Sequence, residues 1–306
     1  MLALLLSAAA LAGPLTVDWE KTEPVKFHAE GRVQTPNGFL YVAMNREVRA
    51  MSVDIAGDFS CTGESRGKRG WKVICQVDDM KLAGRASPGV RDGQSKLDSL
   101  LDEGAELLRG AAVEMEIRTD GVIRTLDVEG IADEDRNMSI KRNQVEQLRQ
   151  LMRRVLSPIG VQMPKDAEGT KPWKHKGMPL FYEIMSMSGT AGGLLHKYTL
   201  DTSQGDLFVT GEGHGNLNVQ GAASVAGSMG SDAAAGTTTT PAFNMVGTSQ
   251  TRWDPTSKLP AYSEAAVNGM ATASNMNLAG GSLYSYAGFV ARVNADGSIE
   301  GLEAKK

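Results

Sequence analysis

Apolar and polar residues alternate over several early stretches of the chain: Val25–Gln34, Phe39–Met44, Val48–Ile55, Phe59–Gly63 and Val73–Val77. Successive side chains of a strand point to opposite faces, so this period of two predicts half-buried antiparallel strands. Met51, Val53 and Ile55 share one face, and Ser52 and Asp54 share the other. Thr35-Pro36-Asn37-Gly38 predicts a turn between the first two strands, and Asp78-Asp79 marks a strand end.

Two stretches change to a helical period. Over Gln94–Arg109, Leu97, Leu100, Leu101, Leu107 and Leu108 fall on one side, and Gly110 supplies the stop. Over Ser139–Leu156, Val145, Leu148, Leu151, Met152, Val155 and Leu156 form the stripe, and Pro158 ends it. Between the helices lies a hairpin, with Val113, Met115 and Ile117 alternating, a turn at Thr119-Asp120-Gly121, and a return over Val122–Val128.

Further strands are predicted at Phe181–Met187, Leu194–Leu200, Leu207–Gly211, Leu217–Val219, Phe243–Arg252, Ala261–Gly269, Leu283–Tyr286 and Phe289–Asn294. Gly189–Gly193 and Asp254–Lys258 read as turns, and Gly211-Glu212-Gly213-His214-Gly215 as a turn between two strands. Residues 221–240 are low in large apolar groups and read as a flexible loop. The expected fold is α+β and β-dominated: a large curved antiparallel sheet, half-barrel-like, with two amphipathic helices packed on its concave side. Residues 13–157 form the β-rich part with the helices, and 158–180 a proline-punctuated connection. Residues 181–306 continue the same sheet or form a second one.

Charge refines this picture. The chain of 306 residues has 32 basic and 36 acidic side chains, a formal net charge of −4. That excludes nucleic-acid binding driven by bulk positive charge. Residues 1–200 hold 27 of each sign, which leaves only 5 basic and 9 acidic residues for 201–306. The last third is therefore a charge-poor surface.

Residues 1–12 read as a signal peptide: Met1 to Ala9 is mostly apolar and Ala10-Leu11-Ala12 has the small-x-small cleavage pattern, so the mature chain starts at Gly13. The run is shorter than the roughly 20 residues a membrane helix needs, and no later segment is long and apolar enough to span. The expected location is the periplasm or the surface of a bacterium. In such a compartment the only two cysteines, Cys61 and Cys75, form a disulfide. A hairpin centred on Lys68 sets them opposite each other, on the face of Phe59 and Val73.

Catalytic motifs are sparse. His28, His175, His196 and His214 show no zinc-protease spacing, and no G-x-S-x-G elbow occurs. Gly211–Gly215 lacks the lysine and following helix of a phosphate loop. No cofactor or metal is expected. The basic hairpin tip, Arg66, Lys68, Arg69 and Lys72 beside Trp71, is a candidate contact for an anionic partner, and also what a solvated turn looks like.

The stretch Gly247-Thr-Ser-Gln-Thr-Arg-Trp253-Asp254-Pro-Thr-Ser-Lys-Leu259 resembles late strands of uncharacterised secreted bacterial β-rich proteins. In element order alone the chain is similar to the periplasmic lipoprotein-carrier and lipid-binding half-barrels, in which helices cap a concave apolar sheet. That likeness implies a non-catalytic exported protein binding an amphiphile or envelope partner, with Leu97, Leu101, Leu148, Met152 and Val155 facing the ligand. The alternatives are a structural or surface-interaction protein, and a hydrolase using scattered Asp, Glu and His.

Overall fold

The computed structural model describes residues 16–34, 42–45, 48–86, 92–131, 142–160, 163, 173–176, 190–191, 195–201, 207–218, 242–273 and 283–295. The strands are β1 (Val25–Gln34), β2 (Val42–Asn45), β3 (Val48–Ser65), β4 (Trp71–Ala86), β5 (Ala112–Ile117), β6 (Ile123–Glu129), β7 (Trp173–Lys176), β8 (Thr190–Ala191), β9 (Leu195–Asp201), β10 (Leu207–Asn218), β11 (Ala242–Asp254), β12 (Leu259–Ala273) and β13 (Leu283–Asn294). The helices are α1 (Gly93–Leu108) and α2 (Arg142–Leu156). All strands join one open antiparallel sheet, ordered β6-β5-β4-β3-β1-β13-β12-β11-β10-β9-β7, with β2 beside β3 and β8 beside β10. The pairing of β1 with both β3 and β13 joins the two halves of the chain in one sheet. The expected β-dominated sheet carrying two helices is the observed architecture.

Several strands run longer than their sequence signals. Val48–Ile55 and Phe59–Gly63 belong to one 18-residue strand. Asp78-Asp79 does not end β4. It sits at a register shift, where Asp58 faces Asp79 and Phe59 faces Val77, and the strand continues to Ala86. A bulge of this kind adds a residue without ending the ladder and increases the local twist. Gly211–Gly215 is likewise no turn, for it pairs through the middle of β10 with both β9 and β11. The connection expected over 158–180 contains β7, which pairs with β9. The expected β1–β2 hairpin is replaced, since the neighbours of β1 are β3 and β13. The signal peptide, the turn at 35–38, the strand at 181–187 and the loop at 221–240 lie outside the described residues, while the turn expected over 189–193 contains β8, which pairs with Leu217 and Asn218 of β10.

Both helices form where the apolar stripes place them. Gly110, at φ +77°, takes the left-handed conformation that ends α1, and its N–H bonds to the carbonyl of Val77. The amide of Gln94 substitutes for a strand neighbour: Oε1 accepts from Ala86 N at 2.9 Å and Nε2 donates to Gly84 O at 2.9 Å. This fastens the start of α1 to the end of β4. Gly84 itself lets the helix approach, because a Cβ there would meet Leu101 Cδ1 and Ser52 O at 2.9 Å.

The sheet is strongly curled. Val17 N bonds to Thr119 O in the β5–β6 turn, and the next residue, Asp18, bonds through N to Lys258 O in the β11–β12 turn. In a flat sheet β5 and β12 would be five spacings apart, roughly 24 Å. Consecutive amides reach both, so the strand ends are drawn together. A second strap acts alongside: Ser263 Oγ donates to Pro158 O, and Met163 N donates to Asp120 O at 2.8 Å. Trp19, Ile123, Ile159, Met163, Trp253 and Leu259 are buried at this end.

Cys61 and Cys75 are linked, with Cα atoms 3.9 Å apart, directly opposite in the β3–β4 register and fully buried. The turn spans Arg66–Gly70, where Arg66 N bonds to Gly70 O at 2.8 Å. Closing a loop of about 15 residues stabilises the fold by about 3 kcal/mol in the chain-entropy treatment. A Cys61→Ala/Cys75→Ala variant is therefore expected to lose about 3 kcal/mol in denaturant unfolding. Reductant should destabilise the wild type but leave the variant unchanged. Equal stability of the two proteins would contradict the bridge's role.

Candidate functional site: a charged cleft on the uncovered face

Strand alternation assigns the two faces of the sheet. Phe27, Ala29, Val33, Val53, Ile55, Phe59 and Cys61 point to the helices and are buried. Their neighbours His28, Glu30, Arg32, Asp54 and Asp58 point the other way, where polar and charged side chains meet along and across strands. His28 Nδ1 lies 2.6 Å from Asp58 Oδ1, and its Nε2 lies 3.5 Å from Glu30 Oε1. Arg32 Nε donates to Asp54 Oδ1. That bond raises the affinity of the guanidinium for its proton. Further along, Arg292 Nε lies 3.2 Å from Glu264 Oε2, which also accepts from Tyr262 Oη at 2.7 Å. Burial, reinforced by the bond to Glu264, pushes the Tyr262 phenol well above its ordinary value.

A cleft opens within this ladder. Glu30, Gly31, Arg32, Asp54, Ile55, Ala56, Lys81 and Ala83 line a volume of about 220 Å³. The register explains it: Ala56 stands between Glu30 on β1 and Lys81 on β4, and Ala83 stands beside Asp54. Two alanines among long charged side chains leave a floor of methyl groups with a charged rim.

Sequence reasoning missed this site. The alternation Lys26, His28, Glu30, Arg32 was visible, but the β1–β3–β4 neighbourhood that closes the cleft was not. The residues expected to face the sheet around a ligand lie away from this cleft, in the interior. Leu97, Leu101, Leu148, Met152 and Val155 are at most 1% exposed and belong to the core. α1 lies against β4 and β3, and α2 against β13, β6 and β1. A Cβ on Gly104 would come within 3.1 Å of Leu148 Cδ2, which shows how closely the helices meet.

The basic tip divides in two. Arg66, Lys68 and Arg69 are exposed on the turn, with Arg66 Nη2 3.9 Å from Glu64 Oε2. Lys72 is held to Glu114 on β5 at 2.6 Å. Trp71 is anchored too, its indole N–H donating to Val17 O at 3.2 Å. Among the described residues no three metal-ligating side chains cluster, and no helix is long and apolar enough to cross a membrane. Ser60, near the His28–Asp58 pair, gives its hydroxyl proton to Asp78.

The stretch Gly247–Leu259 spans β11, its turn and the start of β12. In that turn Asp254 accepts from Thr256 N at 2.8 Å and Ser257 N at 3.2 Å. Burial opposes ionisation of Asp254, but these hydrogen bonds outweigh it and lower its pKa. Comparison with known protein families finds no matching family model, and comparison with curated proteins finds no match.

Tyr262 provides a pH test of the ladder. Its folded pKa lies above the unfolded value of about 10, so its contribution to stability is intact below that pH. The contribution falls as pH rises, because only the unfolded phenol ionises readily. Between about pH 10 and 12 the native wild type and Tyr262→Phe are expected to show equal tyrosinate absorbance. After unfolding, the wild type should show one more tyrosinate. A native difference of one phenol would contradict the assignment.

Proposed function

We propose that this chain works outside the cytosol as a non-catalytic binding protein, engaging a charged component of the bacterial envelope through the uncovered face of its curled sheet. The observation that carries this reading is the division of labour between the faces. The apolar face over β1, β3, β4, β6 and β13 is covered by the protein's own helices, while the opposite face keeps an open cleft rimmed by both signs of charge. An amphiphile held between helices and sheet would require Leu97, Leu101, Leu148, Met152 and Val155 to leave a packed core. A polar component meets the cleft as it stands.

Export supports the reading from two sides. The apolar segment at residues 1–12 has the pattern of a cleaved leader, and the buried Cys61–Cys75 bridge suits an oxidising compartment. Periplasm and cell surface both satisfy this. The exposed part of the basic tip, Arg66, Lys68 and Arg69, adds a secondary electrostatic contact to an acidic envelope surface.

Native mass spectrometry and lipid extraction of the mature exported protein test the proposal. The expected result is a bare chain beginning at Gly13, two hydrogens lighter than its reduced form, with no retained amphiphile. The same protein should co-sediment with isolated envelope fragments, and salt or the Lys81→Glu substitution should weaken that association. A stoichiometric co-purifying lipid would return the site to the concave face. Cytosolic protein with free thiols would remove the premise of export.

A further inference from the structure

The cleft has a chemical polarity of its own, and this inference rests on the uncovered face being the binding face. Arg32 and Asp54 neutralise each other on one side. The remaining two charged groups are differently placed. Oε2 of Glu30 is shielded from solvent and accepts no hydrogen bond from a described residue. Its register neighbour on β13, Arg292, bonds to Glu264 instead. Across Ala56 the ammonium of Lys81 is exposed and forms no contact ion pair among the described residues, its charge acting only at longer range on Asp79, two residues before it on β4.

A buried carboxylate oxygen without a donor is an unfavourable arrangement that an incoming donor relieves. The terminal torsion of a glutamate is soft, so the carboxylate turns toward the cleft at little cost. Glu30 and Lys81 stand two strand spacings apart, roughly 10 Å at the backbone, and their side chains bound the same hollow. Between them lies the methyl group of Ala56, with Gly31 and Ala83 beside it in the lining, a floor suited to a short aliphatic or peptide spacer. At about 220 Å³ the cleft is smaller than a drug-sized pocket.

The geometry points to a site for a small zwitterion, of amino-acid to dipeptide size, with its primary ammonium on Glu30 and its carboxylate on Lys81. Both charge signs are needed, and the pair fixes the ligand's direction along the row Lys81–Ala56–Glu30. A free amino acid and the end of a short peptide share this chemistry, and the spacer length separates them.

Methyl-resolved NMR of the full chain, titrated with glycine and with glycylglycine, tests the site. Glycylglycine should shift the methyl signals of Ala56 and Ala83 while leaving Ala29 and Leu97, on the helix side, unmoved. N-acetylglycylglycine and glycylglycine amide, each lacking one charge, should bind about tenfold more weakly. Glu30→Gln should weaken glycylglycine about tenfold while leaving N-acetylglycylglycine unaffected, and Lys81→Met should do the converse with the amide. Glycine binding more tightly than glycylglycine would assign a free amino acid, and the reverse order a peptide end. Absence of methyl shifts with both probes, or equal binding of the charge-blocked analogues, overturns the zwitterion site. Envelope co-sedimentation of the same Glu30→Gln and Lys81→Met proteins separates the two proposals. Retained salt-sensitive association with no dipeptide binding removes the zwitterion inference alone, and loss of association in the wild type removes the wider reading.

Discussion

Burial of one apolar sheet face constrains everything else in this molecule. An antiparallel sheet with a run such as Phe27, Ala29, Val33 on one side and Val53, Ile55, Phe59 beside it has to cover that face. Two helices cannot cover a flat sheet of this width. The sheet curls instead, until α2 touches both β6 and β13, which stand five strands apart in the ladder. The straps at Val17–Asp18 and Pro158–Met163 close the same curl from one end. Gly84 and the side-chain amide of Gln94 let α1 lie flat against the wall.

The same alternation that builds the core determines the other face. Each strand that turns an apolar residue inward presents the next one outward; on β1 and β3 several of those outward residues are charged, and Glu264 on β12 and Arg292 on β13 add one pair. Neighbouring strands bring opposite signs together, as in Arg32 with Asp54 and Arg292 with Glu264. Exposed pairs of this kind contribute little to stability individually. They do fix the positions of long side chains around the small ones at Ala56 and Ala83, and a cleft results. The cleft on this face is thus a by-product of register.

Local pattern made much of the fold legible. The span of β1, the β5–β6 hairpin, both helices and the facing of Cys61 with Cys75 follow from periods of two and 3.6 and from turn residues. Boundaries failed where a local signal had a second meaning. Asp78-Asp79 reads as a strand end and is a bulge, and the glycines of Gly211–Gly215 read as a turn and are paired strand. Glycine and aspartate mark irregular backbone, and only the partner strands decide whether the ladder survives it. The candidate site depends still more on distant partners. Glu30 and Lys81 are separated by fifty residues of chain, and nothing near either one reveals that Ala56 lies between them. The apolar helix stripes were visible, but a stripe that fills a core and one that greets a ligand have the same sequence.

Hydrogen exchange of the α1 and α2 amides in the native protein tests the central claim most directly. If the helices are permanent parts of the core, their innermost amides exchange only through global unfolding, with the free energy measured in denaturant. A cheaper opening that lifts α1 or α2 from the sheet, while the β3–β4 and β1–β13 ladders stay protected, would contradict it. The concave face would then be a binding site behind a movable cover.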